Sequence, residues 1–204
     1  MKVAKLIEAL VAPAAYPFPV EHVEVRQTHI SAVFLAGVYV YKIKKLVDFG
    51  FLDFGSLEKR RYFCDQEVRL NRRLAPDVYL GVVPVARCGD GVCFEADGEV
   101  VEWAVKMRRL PDQASLQSYL QRGEVDQNVV SNLARRIAAF HANAESGPQI
   151  AACGRFDVVA GNARENFEQS AAQVGTTASN TVFERLEALT ERTLTHQRSL
   201  IESR

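Results

Sequence analysis

Apolar and polar positions alternate along the first half of the chain and fall at helical spacing along the second. Segments 22–27, 31–36 and 38–45 carry the period of two expected of strands, with Gly37 as the turn between the last two. Ser56 stands where it can cap a helix running from Leu57 to about Leu74, which Pro76 ends. Segments 79–87 and 92–105 predict further strands around Gly89-Asp90-Gly91, and Asp97-Gly98 splits the second of them. A short helix over 2–11, closed by Pro13 and the Pro17/Pro19 pair, precedes the strands. Met107 to Pro111 reads as a connector. Leu116–Gln121, Val125–His141, Ala160–Gln173 and Thr181–Ser203 then read as helices. A strand-rich stretch with one long helix followed only by helices predicts an α+β protein in two parts, 1–106 and 107–204.

Composition narrows the partners. The 204 residues carry 25 basic and 25 acidic side chains and are 48% hydrophobic, enough for a substantial core. A net charge of zero lacks the basic stripe of a general nucleic-acid or membrane-surface binder, so neither partner is expected. Glu8 interrupts the N-terminal apolar run, unlike a secretory signal, and no apolar stretch approaches the roughly 18 residues of a membrane span. A cytoplasmic protein is expected. Cys64, Cys88, Cys93 and Cys153 form no CxxC pair and have no histidine at metal spacing, so they read as thiols in a reducing compartment. Cys88 and Cys93 flank the predicted hairpin and could face each other.

The candidate chemistry lies in VYKIKK, residues 40–45. Strand alternation puts Val38, Val40, Lys42 and Lys44 on one face and Tyr39, Tyr41, Ile43 and Lys45 on the other. Lysines sharing a face with valines are either an edge strand protected by charge or part of a site. In a kinase-type nucleotide clamp, a valine two residues before the lysine covers the base, and the ammonium reaches the phosphates. Lys42 after Val40 fits that pattern; Lys44 is the fallback. On the helix that follows, Glu67 falls among Phe63, Cys64, Leu70 and Leu74, inside an apolar stripe. A buried carboxylate demands a cation, and the strand lysines or Arg60 could supply it. Thr28-His29-Ile30-Ser31 joins the first two strands, where hydroxyls and backbone N–H groups could cover phosphates; an ordinary polar hairpin is the competing reading. His29 reads as a turn residue rather than a base.

The runs THISAVFLAG (28–37), VYKIKKLVDFGFLDF (40–54), FCDQEVRLNRRLAPDVYLGVVPV (63–85), EWAVKMRRLP (102–111) and LARRIAAFH (133–141) occur in order at sensible spacing. Together they resemble the aminoglycoside-phosphotransferase-like half of the bacterial bifunctional aminoglycoside phosphotransferase/ATP-binding proteins, over nearly all of residues 16–204. The resemblance implies a protein-kinase-like fold: an antiparallel-sheet N-lobe with one long helix, then the first helices of an incomplete helical C-lobe. It also implies ATP or GTP with magnesium, and a small-molecule phosphoryl acceptor that it does not identify. By resemblance Lys42 is the phosphate lysine and Glu67 its partner. Val40, Thr28 and Ser31 belong to the nucleotide site, and Lys106, Met107 and Arg108 form the hinge whose backbone holds the adenine. Leu46 departs from the proline usual after the lysine run.

Two strings imitate kinase motifs. Asp48-Phe49-Gly50 spells the magnesium motif but precedes the helix, on the wrong side of any catalytic loop, and reads as a turn. Asp157 and Asn162 have the spacing of a catalytic base and metal ligand, yet no aspartate follows Asp157 in the sequence, and the resemblance puts this segment on the way into a helix. A His-Gly-Asp loop and a GxxxxGK[ST] phosphate loop are both absent, so no catalytic or metal-binding residue is assigned. The expectation is a nucleotide-binding portion, inactive unless completed by a C-terminal continuation or a P-loop ATPase half. The alternative is a pseudokinase-like binding or interaction module.

Overall fold

The structure is a computed structural model and describes residues 3–203. The chain gathers into two compact units, Met1–Phe140 and His141–Arg204. The change of texture after residue 106 falls inside the first.

The first unit is built on a six-stranded antiparallel sheet of order β1-β2-β3-β6-β4-β5. Its strands are β1 (Val23–Gln27), β2 (Ser31–Ala36), β3 (Tyr39–Lys44), β4 (Tyr79–Cys88), β5 (Gly91–Phe94) and β6 (Val100–Arg108). Helix α1 (Val3–Leu10) and α2 (Leu57–Asn71) flank the strands, and α3 (Leu116–Gln121) and α4 (Gln127–Ala142) follow them. β2 and β3 are joined by a two-residue turn in which Gly37 takes φ +56°, a left-handed conformation glycine adopts without steric cost. The alternation of β3 turns Tyr39, Tyr41 and Ile43 into one apolar cluster. Tyr41 and Ile43 are fully buried with Leu6, Ile7 and Leu10 of α1, and with Tyr16, Phe34 and Phe94. The Tyr41 and Phe94 ring centroids are 4.4 Å apart. Each such ring contributes about 1.5–3 kcal/mol by leaving water, which makes this aromatic cluster the main anchor of α1. A smaller cluster, Cys64 and Val68 of α2 with Val105, Tyr79, Val82 and Met107, seats α2 on the sheet.

The second unit holds α5 (Pro148–Ala152), α6 (Phe156–Ser170) and α7 (Asn180–Glu202). α6 and α7 are tied by Arg164 on Glu191, with both nitrogen–oxygen contacts at 2.7 and 2.8 Å, and by Phe167 against Phe183. Ala160 and Leu194 are its buried residues, while Val158, Val182, Leu186, Leu189 and Leu200 stay exposed.

Three expectations are corrected. α2 ends at Asn71, a turn before Leu74, because the chain turns over residues 72–74 ahead of Pro76. β6 runs through Arg108, so Met107 and Arg108 are strand residues and not connector. Cys88 and Cys93 form a disulfide, with Cα atoms 5.9 Å apart, although thiols were expected. The tight Gly89-Asp90 turn sets Cys88 opposite Gly91, which leaves Cys93 diagonally across the ladder within bonding reach. Helix α5 was not anticipated; five residues are too few to show a period.

Candidate functional site

Hydrogen-bonding register defines one face of the sheet in rows. Leu35, Val40 and Met107 are opposite one another across β2, β3 and β6; Val33, Lys42 and Val105 form the next row; Ser31 and Lys44 the next. Directly paired residues project to the same face, so an apolar strip leads into two lysines. Helix α2 covers the lysine end. Ser56 caps it by accepting from the Lys59 N–H, and its inner face is Arg60, Cys64, Glu67 and Val68, the spacing of a single helical stripe. This differs from the stripe expected from sequence: Leu70 and Leu74 are exposed.

Glu67 meets both strand lysines. Lys42 Nζ lies 2.9 Å from Oε1 and Lys44 Nζ 2.8 Å from Oε2. The side chains retain 28% of their exposure at Lys42, 7% at Lys44 and 14% at Glu67. Burial pushes the Glu67 carboxyl up, but hydrogen bonds from Lys44 and Lys42 outweigh it and hold the group below the usual glutamate range. Lys44 is further enclosed by Phe54, whose ring centroid is 5.1 Å from its ammonium.

Arg60, the rival partner, is committed elsewhere. Its Nε donates to both carboxylate oxygens of Glu102, at 3.0 and 2.8 Å, and a terminal nitrogen donates to the Phe54 carbonyl at 3.0 Å. Burial raises the Glu102 pKa, and the bonds from Arg60 and the Trp103 N–H offset only part of that rise. Cys64, fully buried between these two ion pairs along α2, has its thiol pushed up to about 12 by burial and is unreactive as folded.

The remaining predicted residues divide. Val40 stands in the apolar strip beside the lysines. Thr28 and Ser31 close a tight turn: the Ser31 N–H donates to Thr28 Oγ1 at 3.0 Å, and the Thr28 N–H donates to the Ser31 carbonyl at 2.9 Å. Ser31 itself is buried with its hydroxyl unpartnered. Lys106, Met107 and Arg108 have register partners in β3 and, for the first two, in β4, so their backbone lies in a ladder between strands. Lys106 pairs with Glu95 at 2.8 Å and lies over Tyr39, on the face opposite Lys42. Met107 alone of the three joins the lysine face. The chain leaves the sheet at Arg109, whose N–H donates to the Val38 carbonyl at 2.9 Å. There, Gly37, Val38, Leu80 and Arg109 to Pro111 border a cleft of about 640 Å³. Val38 is four residues from Lys42 along the strand, about 13 Å at strand rise.

Asp48 caps its own turn, accepting from the Gly50 N–H at 2.9 Å, as expected of a turn residue. Asp157 and Asn162 both lie in α6, so they do not share a loop. Sequence reasoning missed the Arg60–Glu102 pair: Glu102 is one of three charges in β6, and nothing local marks it as the buried one.

No family model matches the chain, and no solved structure matches it. It is similar to uncharacterized proteins of Mycobacterium bovis and Mycobacterium tuberculosis, 31% identical over 169 residues. The match covers 83% of this chain and 32% of each relative, so the chain spans about a third of the length of the curated relatives it matches. Among the described residues, no helix is long and apolar enough to cross a membrane.

Proposed function

We propose that this chain is the nucleotide-binding portion of an aminoglycoside-phosphotransferase-like small-molecule kinase, with a protein-kinase-like N-lobe, acting in the cytoplasm. The observation that carries the reading is the contact of Lys42 with Glu67 at 2.9 Å, at the end of the apolar strip Leu35-Val40-Met107. A strand lysine held by a helix carboxylate is the arrangement used to grip α- and β-phosphates, and an apolar roof one row away suits a flat base. Among the described residues, no three His, Cys, Asp or Glu side chains cluster to hold a metal. Magnesium at a nucleotide site is commonly held by one or two carboxylates together with the phosphates themselves, and the proposal assigns none of this chain's carboxylates to that role.

A binding module without chemistry is the second reading. Asp157 and Asn162, both within α6, fit either reading. Against the second stand the exposed Val182, Leu186, Leu189 and Leu200 of α7, an apolar face suited to further polypeptide of a longer kinase.

Calorimetry with ATP and magnesium tests the proposal. The expected affinity is weak, in the millimolar to high-micromolar range, equivalent to roughly 4–6 kcal/mol, and Lys42→Ala abolishes it. A radiolabelled-ATP assay against aminoglycosides, sugars and amino-alcohols should remain at background. Turnover abolished by Lys42→Ala would refute the assignment of no catalytic residue, and ATP binding untouched by Lys42→Ala would refute the site.

A further inference from the structure

We propose that Lys44 is a positioning residue: it holds Glu67 permanently, and so leaves Lys42 free to transfer to a bound phosphate chain. The proposal deepens the nucleotide-binding reading and rests on it for the ligand of Lys42.

Strand periodicity sets Lys42 and Lys44 on one face of β3, about 6.6 Å apart, and Glu67 comes down from α2 to meet both. Each carboxylate oxygen takes one ammonium, Oε1 from Lys42 and Oε2 from Lys44. The two lysines are unequal in their freedom. Lys44 keeps 7% of its side-chain exposure, faces the Phe54 ring, and has Ser31, itself 1% exposed, opposite it in the ladder. Withdrawing it would leave Glu67 Oε2 without its donor and drag a charge through apolar packing. Lys42 keeps 28% and borders the apolar strip, so its ammonium can turn outward.

The charge count points the same way. Two cations share one carboxylate, and among the described residues neither lysine has another acidic partner. The cluster carries one surplus positive charge in a half-buried setting, a standing attraction for an anion. With a single lysine, moving the ammonium onto a phosphate would leave Glu67 buried and uncompensated, which is strongly unfavourable. With Lys44 in place, Glu67 keeps a full counter-charge when Lys42 leaves.

The test uses the full chain, inorganic triphosphate as the probe and four variants. Thermal unfolding is followed by fluorescence of Trp103, the chain's one tryptophan, placed in β6. Lys44→Met should lower the midpoint by roughly 6 °C or more and expose Cys64 to alkylation, whereas Lys42→Met should cost less than half as much. Lys44→Arg keeps the charge and should restore most of the midpoint. Triphosphate added to lysine-labelled protein should shift the Lys42 side-chain resonances and leave those of Lys44 in place. Lys44→Met should weaken triphosphate binding several-fold, because Glu67 then claims Lys42, and Lys44→Met/Glu67→Gln should recover it; a merely structural role for Lys44 predicts no such recovery. Equal midpoint losses for the two lysine variants, or equal triphosphate shifts at both lysines, overturn the proposal. No response to triphosphate refutes the ligand reading and the release of Lys42; the midpoints and Cys64 alkylation then decide separately whether Lys44 anchors Glu67.

Discussion

Replacing Arg60 by alanine should be among the most damaging single changes in the sheet unit. Arg60 and Glu102 retain 9% and 5% of their side-chain exposure, so neither charge has water to fall back on. The arginine bonds both Glu102 oxygens and the Phe54 carbonyl, and its removal leaves Oε2 and that carbonyl without a donor and Oε1 with only the Trp103 N–H. Breaking a buried pair of this kind costs about 3–5 kcal/mol, largely the penalty on the partner left behind. For a chain of this size that is a drop of roughly 6–20 °C in midpoint, read by Trp103 fluorescence, and the Arg61 guanidinium 4.2 Å from that ring makes the probe sensitive to the seating of α2. Arg60 precedes Glu67 by two helical turns, about 10.5 Å, so the two ion pairs pin α2 at separate points along its length. Loss of the first should loosen the second and weaken any anion bound at Lys42. The double replacement Arg60→Met/Glu102→Leu should restore most of the stability, because well-packed apolar groups lack the desolvation penalty of the ions. A loss below about 1 kcal/mol for Arg60→Ala would mark the pair as effectively solvated, like a surface ion pair, and refute the reasoning.

Acid should act through Glu67. Its folded pKa is depressed below the ordinary 4.5, so its stabilisation is complete above the unfolded value and lost as pH falls through the folded one. Glu102, with a raised pKa, runs oppositely: the folded state takes up its proton first, so mild acid favours folding through that group. Denaturant titrations from pH 7 to 3 should therefore show the advantage of wild type over Glu67→Gln shrinking below about 4.5, with the converse trend in Glu102→Gln. An advantage that grows with acid would contradict the assigned direction. Thiol titration should find Cys153 alone reactive in the native protein, Cys153 and Cys64 after denaturation, and all four after reduction, following their exposed, buried and disulfide-bonded states. Opening the Cys88–Cys93 loop should cost about 2 kcal/mol by loop entropy, and a fully reactive set of thiols without reductant would refute the disulfide.

Periodicity and punctuation determined much of this protein before any contact was known. Alternation at 31–36 and Gly37 fixed a strand and its turn, Ser56 fixed the start of α2, and helical spacing marked Leu116–Gln121, because these signals are local and each is satisfied within a few residues. The meeting of Glu67 with the β3 lysines was also legible, since a carboxylate on the inner face of a helix requires a cation. The tertiary structure decided which cation. The sequence favours Lys42, with Lys44 as fallback and Arg60 as rival; only the register of β2, β3 and β6, and the seating of α2 on Val105, give both lysines to Glu67 and commit Arg60 to Glu102. The same cause explains the residues placed wrongly. Leu70 and Leu74 were counted as core on spacing alone, but which face of a helix is buried depends on the sheet it meets. Met107 to Pro111 reads as a connector, yet strands on both sides of β6 supply hydrogen-bond partners remote in sequence and extend it to Arg108. Local chemistry selects the elements. Long-range pairing selects among side chains that the sequence leaves undecided, because the free energy separating those choices comes from burial and charge compensation that exist only after the elements have packed.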